Sequence, residues 1–351
     1  VSLQPDDVTV AEVLKQAGYR TGIVGKWGLG EAGTRGTPNL QGFDEWLGYL
    51  NQDHALRFYP EVLWRNTGQI FPDRNQGGRH ESYSHDLFTT HALEFIEQHA
   101  SAPFFLYAAY TLPHADSEMS RHTGDGYVVP DYGPYADRDW PTPDKGYAAM
   151  VSRLDRDVGR IVDEVKRLGI DRQTLIVFAS DNGPASEGSH TPEFFGSRGP
   201  FRGMKQSLYE GGIHVPFIVR WPGRIAPGRV SDRLVAFWDF LPTVASLAHL
   251  PTPRDIDGVS FVDALMDETP TTRPGYLYWE MYAHDTTGQA VRLDRWKGVR
   301  FAPDAPLELY DLHEDAGEQR NLASMHPEIV ERMRTIMTEA RTDSPDFPFE
   351  R

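Results

Sequence analysis

Hydrophobic and polar positions along the chain follow two patterns, helical periodicity and continuous apolar runs. Residues 147–169 place apolar side chains three or four positions apart and end on Gly169, which predicts an amphipathic helix. Two further helices are predicted at 9–18, where Thr9 and Glu12 form a capping-box pattern, and at 85–99. Uninterrupted apolar runs predict buried strands at 19–25, 104–110, 174–180 and 214–223.

Helices that alternate with continuous apolar strands indicate an α/β fold, with a mostly parallel sheet flanked by helices. The pattern changes near 251–258, after which short strand-like segments precede a helix that begins near His326. We therefore predict an α/β domain over 1–255 and a small antiparallel subdomain with a packing helix over 256–351. Residues 111–145 are rich in Pro, Gly, Asp and Tyr and are predicted to form a long ordered surface loop.

Charge and composition narrow the possible partners. The 351 residues carry a formal net charge of −16, which disfavours nucleic acid as a partner. No apolar run is long enough to span a bilayer, so no membrane partner is expected. The chain has no cysteine, which excludes disulfides, zinc–thiolate sites and a cysteine nucleophile within it.

Polar residues follow three of the predicted strands. Lys26 follows the first strand, His114 the second, and Asp181 and Asn182 the third, while Lys205 lies in a glycine-rich segment further on. Each residue alone is ordinary for a surface or a turn. Ligands of open α/β sheets bind beyond the carboxyl ends of the strands, so we expect these side chains to meet there.

Together these residue types are suited to a compact oxyanion. Asp181 and Asn182 offer the hard oxygen ligands that Ca²⁺ or Mg²⁺ takes, and Lys26 and Lys205 are point positive charges. His114 donates a hydrogen bond or transfers a proton. A cation, two ammonium groups and an imidazole stabilise charge that develops on a sulfate or phosphate ester.

The glycines at 28, 30 and 33 fit the G-x-G-x-x-G spacing of a dinucleotide-binding turn. Such a turn opens directly into a helix, whereas the residues that follow here include Pro38 and show no helical period. The dinucleotide interpretation is therefore rejected. The chain also has no G-x-x-x-x-G-K-[ST] phosphate loop.

Several segments, in this order, resemble the sulfatases of the alkaline-phosphatase superfamily. They are AEVLKQAGYRTGIVGKWGLG, GFDEWLGY, FFLYAAYTLPHA, SDNGP and GPFRGMKQSLYEGGIHVPFIVRWPG. The tail WKGVR…LELYDLHEDAGEQRNLA is similar to the C-terminal subdomain of that family. The resemblance implies an alkaline-phosphatase-like fold and hydrolysis of sulfate esters, with many relatives periplasmic or secreted.

By motif, the resemblance implies that Lys26 is the active-site lysine and His114 the histidine that contacts sulfate. Asp181 and Asn182 would supply half of the calcium site, and Lys205 would be the second sulfate-binding lysine. The family nucleophile is a formylglycine hydrate made from the cysteine or serine of C/S-x-P-x-R.

The chain departs from the family in three ways. It has no C/S-x-P-x-R segment, and it lacks the paired aspartates that complete the metal site, which Asp6 and Asp7 do not replace. The family histidine of G-K-W-H is Gly28 here. We expect that the chain lacks the N-terminal region of the family, binds calcium poorly and is inactive alone.

The substrate expectation comes from two segments rich in His, Tyr, Trp and Arg, at 49–66 and 187–199. They resemble insertions in bacterial sulfatases of sulfated carbohydrates or aryl sulfates, and His54 and His190 are candidate pocket residues. Two alternatives stay open: a phosphatase, phosphonate hydrolase or phosphotransferase of the same superfamily, and a non-catalytic oxyanion-binding protein, which Gly28 favours.

Overall fold

A computed structural model describes residues 2–266, 272–283 and 286–344, without the side chains of 283 and 286. The helices are α1 (Val10–Lys15), α2 (Ser84–His99), α3 (Ser117–Thr123), α4 (Thr142–Arg167), α5 (Pro192–Phe195), α6 (Glu210–Ile213), α7 (Phe240–Leu247), α8 (Val262–Met266) and α9 (Pro327–Glu339). The strands are β1 (Arg20–Lys26), β2 (Glu45–Tyr49), β3 (Leu63–Arg65), β4 (Gly68–Ile70), β5 (Phe104–Ala109), β6 (Ile176–Ala179), β7 (Phe217–Arg220), β8 (Leu277–Ala283), β9 (Thr286–Leu293), β10 (Trp296–Arg300) and β11 (Glu308–Asp311).

The largest sheet has the strand order β4-β3-β2-β1-β5, and β1 runs parallel to both β2 and β5. Successive residues of β1 point to opposite faces of this sheet. Val24 packs against Phe88 and Ala92 of α2, whereas Ile23 belongs to a second cluster with Ala11 of α1. Helices thus cover both faces, which confirms the predicted mostly parallel α/β class.

The hairpin of β3 and β4 and the antiparallel pairing of β6 with β7 were not predicted. β3 and β4 form a hairpin at the edge of the main sheet, and Asn66 takes a left-handed φ of 53° in its turn. β7 runs antiparallel to β6, so the further strand predicted at 214–223 does not extend the parallel arrangement. Among the described residues, β6 and β7 pair only with each other. Ile218 of β7 is 61% exposed, so part of this two-stranded sheet faces solvent.

The C-terminal part is an antiparallel sheet of order β11-β10-β9-β8, as predicted. Residues Met333, Ile336 and Met337 of α9 pack against Val291 and Leu309 of this sheet. The prediction of a continuous loop over 111–145 was wrong in part. It contains α3, which Asp116 caps by accepting a hydrogen bond from the Met119 backbone, and α4 begins at Thr142.

Within the described ranges, no helix is long and apolar enough to cross a lipid bilayer.

Candidate functional site: an oxyanion cluster at the strand ends

Lys26 is the last residue of β1, where this interior strand emerges from the main sheet. The preceding Gly25 has a φ of 101°, and a Cβ there would lie 2.0 Å from the Ala109 carbonyl oxygen. Only glycine allows β1 and β5 to approach so closely at this point. Across the described ranges, the Lys26 ammonium forms neither a hydrogen bond nor an ion pair, so its charge is available to a ligand.

His114 lies beyond the end of β5. Its Nδ1 is 2.6 Å from the Ala115 carbonyl oxygen, so Nδ1 carries a proton and Nε2 presents a lone pair. The Lys205 ammonium lies 3.3 Å from that Nε2 and donates to it. Burial lowers the pKa of His114, and the charges of Lys205 and Lys26 lower it further. The imidazole is therefore neutral at neutral pH.

Lys205 forms an ion pair with Glu187, a carboxylate that the sequence did not indicate. The Lys205 Nζ donates to Glu187 Oε2 at 2.9 Å, and these side chains are 20% and 31% exposed. Glu187 lies in the segment 187–199 that was predicted to contact substrate, but nothing in its spacing pointed to Lys205. A ligand oxyanion that binds the Lys205 ammonium would compete with the Glu187 carboxylate.

Asp181 and Asn182 follow β6 in a turn that is fixed by its backbone. The Gly183 N–H donates to the Gly212 carbonyl at 2.9 Å, and the Lys205 N–H donates to the Pro184 carbonyl at 2.9 Å. A Cβ on Gly183 would lie 1.8 Å from the Gly211 carbonyl oxygen, so the two loops touch closely. The turn that carries Asp181 is thereby joined to the loop that carries Lys205.

Tyr107 of β5 is 50% exposed, and desolvation and the negative charge of Asp181 both raise the pKa of its hydroxyl. In the part of the chain that the structure describes, however, the Asp181 and Asn182 side chains form no hydrogen bond with Lys26, His114 or Lys205. The side chain of Asn182 instead donates to the Gly183 carbonyl at 2.8 Å.

The donor set for a metal is small. Calcium takes six to eight oxygen ligands in proteins. Within the described ranges no three or more His, Asp or Glu side chains are grouped to hold a metal ion. Asp181 and Asn182 alone do not form a complete calcium site.

Two histidines proposed as pocket residues have other partners. His190 is 1% exposed, and its Nδ1 lies 2.6 Å from Oδ1 of Asp144, while its ring stacks on Tyr147 at 4.1 Å. His54 Nε2 lies 2.7 Å from the Val62 carbonyl oxygen. His190 is thus a buried part of the loop packing, and the His54 ring is tied to the backbone.

Gly28 has a left-handed φ of 82°, and a Cβ there would lie 2.8 Å from Nε2 of Gln52. A side chain other than glycine is strained in this conformation. Glycine therefore suits the backbone conformation at position 28, where the resemblance predicted a histidine.

Of the five predicted side chains, His114 and Lys205 are in contact, and Lys26 at the end of β1 is close enough for its charge to act on His114. Two ammonium groups near one imidazole favour a negatively charged ligand. Fold and site together define an α/β protein with a candidate oxyanion site at the edge of its sheet.

Two protein-family models match the chain. The family model described as Sulfatase matches residues 1–250, and the model described as N-sulphoglucosamine sulphohydrolase, C-terminal, matches residues 199–343. The chain belongs to the sulfatase family. Members of this family generally use calcium and a formylglycine.

Curated relatives agree with this assignment. An N-acetylgalactosamine-6-sulfatase of Mus musculus is 36% identical over 300 residues, which cover 82% of this chain and 53% of the relative. An arylsulfatase of Hemicentrotus pulcherrimus is 32% identical over 368 residues, covering 90% of this chain and 62% of the relative. The chain thus spans about half the length of the first of these relatives.

Solved structures show the same fold. A crystal structure of Ps i-CgsB in complex with k-i-k-neocarrahexaose superposes with a TM-score of 0.84 at 24% identity, over 100% of this chain and 78% of that chain. The putative sulfatase yidJ from Bacteroides fragilis superposes with a TM-score of 0.74 at 22% identity, over 97% and 78% of the two chains.

Proposed function

We propose that the polypeptide to which this chain belongs is a sulfuric ester hydrolase that acts on sulfated carbohydrates. The observation that carries the proposal is the convergence of Lys26, His114 and Lys205, where Lys205 Nζ lies 3.3 Å from His114 Nε2. Charge that develops on sulfate oxygens as the ester bond breaks is stabilised by such preorganised positive groups.

In this proposal Lys26 and Lys205 bind the sulfate oxygens, and His114 donates a hydrogen bond to them once Nε2 is protonated. Asp181 and Asn182 would contribute oxygen ligands to a calcium ion, which supplies further positive charge when bound. Because the chain has no cysteine and no C/S-x-P-x-R segment, it carries no formylglycine precursor. We therefore predict no hydrolysis by residues 1–351 alone. The catalytic unit is proposed to be 1–255, with 256–351 as the C-terminal subdomain.

An exposed cluster of rings supports a saccharide as substrate. This aromatic patch consists of Tyr135, Trp140, Phe194 and Phe195. The ring centroid of Trp140 lies 5.3 to 5.6 Å from those of the other three, and Phe194 is 41% exposed. Exposed apolar patches on soluble proteins commonly mark binding sites, and flat rings suit the faces of sugar rings.

The aromatic patch is connected to the oxyanion cluster through Tyr127. The Tyr127 hydroxyl donates to the Glu187 carbonyl at 3.2 Å, and its ring lies 5.7 Å from that of Tyr147. Tyr147 in turn stands 5.9 Å from Phe195. Contacts through the buried Tyr127 therefore connect the patch to Glu187, and this connection supports one site for a sulfated saccharide.

Among the relatives, those from Mus musculus and Bacteroides thetaiotaomicron are named for 6-sulfated N-acetylgalactosamine. These names support a carbohydrate substrate for this protein but do not specify its sugar. Aryl sulfates are the alternative, since another relative is named an arylsulfatase.

The test is hydrolysis by the polypeptide that the whole gene encodes, assayed with a sulfated oligosaccharide, an aryl sulfate and a phosphate ester. We expect sulfate release that Lys205→Met abolishes and Lys15→Met leaves intact. Preferred phosphate release would favour the phosphatase alternative. Sulfate binding without any ester hydrolysis would favour the non-catalytic binding protein.

Calcium binding by residues 1–351 is tested by calorimetry. We expect no tight one-to-one binding, since two oxygen-bearing side chains are far fewer than calcium takes. Tight stoichiometric binding would show that the proposed ligand set is wrong.

A further inference from the structure

The loop that carries Lys205 is anchored in the C-terminal sheet. We call residues 202–214 the Lys205 loop. Its Leu208 and Tyr209 lie in one buried cluster with Ala290 of β9, Val299 of β10 and Tyr310 of β11. A residue of the oxyanion cluster is therefore presented by a loop whose apolar side chains belong to the core of the other part of the molecule.

A buried cluster of charges joins the same loop to the same sheet. Lys297 of β10 is 0% exposed, and its Nζ lies 2.8 Å from Glu210 Oε1 and 3.2 Å from Glu318 Oε1. The Glu210 N–H donates to Glu318 Oε2 at 2.7 Å. We call Lys297, Glu210 and Glu318 the buried ion triad. Glu210 lies at the start of α6, within the Lys205 loop.

The buried ion triad is held together by its ammonium group and by the hydrogen bond from the Glu210 N–H to Glu318. Two buried carboxylates that share one neighbourhood repel each other, and isolated buried charges are strongly unfavourable. Arg292 is the next cation, at 3.8 Å from Glu210 Oε2, and His214 Nδ1 lies 3.2 Å from the same oxygen. Lys297 is the cation that contacts both carboxylates, so its loss would push Glu210 away from Glu318.

A shift at Glu210 would be transmitted to Lys205 through the backbone. The Gly211 N–H donates to the Arg202 carbonyl at 2.7 Å, which closes the Lys205 loop on itself. A Cβ on Gly211 would lie 2.3 Å from the Gly203 carbonyl oxygen, and one on Gly212 would lie 2.1 Å from that of Ser207. So tightly packed a loop has little room to absorb displacement at one end, and it moves as a unit.

We propose that the buried ion triad positions Lys205 against His114, which makes Lys297 a positioning residue of the oxyanion cluster. The C-terminal sheet thereby sets the geometry of the site from a residue in β10. The family model that matches residues 199–343 covers the Lys205 loop and this sheet together, in keeping with one structural unit. The consequence for sulfate affinity rests on the proposed function, whereas the positional claim does not.

The positional claim is tested by NMR titration of His114, assigned with His114→Gln, in the 351-residue chain. The Lys205 ammonium lowers the pKa of His114, so displacement of Lys205 raises that pKa. We expect Lys297→Met to raise it and Lys297→Arg to restore a value close to wild type. Glu210→Gln breaks the same link while leaving Lys297 paired with Glu318, and it should raise the pKa if Lys297→Met does not fold.

Arg273→Met is the matched control. Arg273 and Asp239 are buried to a similar extent, with side chains 5% and 1% exposed and an N–O distance of 2.8 Å. Removing this pair should lower the melting temperature without moving the titration of His114. An unchanged His114 titration in every folded variant of Lys297 and Glu210 would overturn the proposal, and so would an equal shift in Arg273→Met.

Binding of inorganic sulfate gives the functional readout. We expect Lys297→Met to weaken it about tenfold or more, the order expected when a charge-assisted contact is misaligned. If wild-type protein binds no sulfate while the His114 titration responds as described, the proposed function fails and the positional claim stands.

Discussion

Glu187→Gln should strengthen the binding of sulfate, because the Glu187 carboxylate competes with a ligand for Lys205. The two side chains are partly exposed and their N–O distance is 2.9 Å. An ion pair of this exposure is worth about 0.2–1 kcal/mol, and sulfate must break or share it. Glutamine keeps the size of the side chain and one hydrogen-bond acceptor, so the perturbation is mainly the loss of one negative charge.

Repulsion between Glu187 and the bound anion adds to this cost. Two unit charges about 5 Å apart interact by about 1 kcal/mol in water and about 3 kcal/mol at an effective dielectric constant of 20. Removing the carboxylate should therefore improve binding by about 1–3 kcal/mol, or about 5- to 150-fold in the dissociation constant.

The assay is isothermal calorimetry with sodium sulfate at constant ionic strength, since salt screens such interactions. Glu193→Gln is the control, because its ion pair with Arg198 at 3.2 Å lies on the same segment and is more exposed. We expect Glu193→Gln to leave the affinity unchanged. Unchanged or weaker binding by Glu187→Gln would refute the competition between this carboxylate and the ligand.

Three further predictions concern pH, stability and the glycine at the strand end. Sulfate affinity should fall by up to about tenfold per pH unit above the lowered pKa of His114, because the bound anion requires a proton on Nε2. Calorimetry at a series of pH values should show this fall, and His114→Gln should remove the pH dependence. Asp157 is fully buried; burial alone would raise its pKa, but hydrogen bonds from His85, Arg156 and Arg160 outweigh burial and hold it well below the usual range. Asp157→Asn should lower the free energy of unfolding, measured in urea, by about 3 kcal/mol at pH 7. This difference should shrink as the pH falls below about 4, because the stabilisation from a depressed carboxyl pKa is lost there. A difference independent of pH would contradict this prediction. Gly28→His should cost about 1–2 kcal/mol in the same assay because of its left-handed φ of 82°, and an unchanged stability would show that the loop adapts.

Local signals in the sequence predicted the parts of the fold that depend on local physics. The capping box of Thr9 and Glu12 is present in α1, and the apolar run before Lys26 is the buried strand β1. The periodic segment 147–169 lies largely within α4, although Val151 of its apolar stripe is 39% exposed. Periodicity reports which positions are apolar, and tertiary contacts decide which of them are covered.

Long-range pairing was not predictable in the same way. The direction of β7 relative to β6 leaves no trace in a four-residue apolar strand, and the hairpin β3–β4 is too short to show alternation. Lys297 and Glu210 are 87 positions apart, so no spacing rule connects them. The same is true of Glu187, whose partner Lys205 lies on another loop.

The prediction of the candidate site rests on the convergence of strand ends. Lys26, His114 and Lys205 were expected to meet from their positions after strands and in a glycine-rich loop. Lys205 Nζ lies 3.3 Å from His114 Nε2, and the charges of both lysines add to burial in lowering the pKa of His114. His190 misled the prediction because an aromatic-rich segment is equally compatible with a pocket wall and with a buried histidine–aspartate pair. Burial, which sequence does not state, distinguishes the two.

The most direct measurement of the central claim is a sulfate titration of the 351-residue chain and its Lys26→Met and Lys205→Met variants. A charge-assisted contact is worth about 1.5–3 kcal/mol, so each variant should bind sulfate about 10- to 150-fold more weakly than wild type. Lys15→Met, which removes an exposed lysine paired with Asp44 at 2.6 Å, should bind as wild type does. Equal affinities in all four proteins would contradict an oxyanion site built from Lys26, His114 and Lys205.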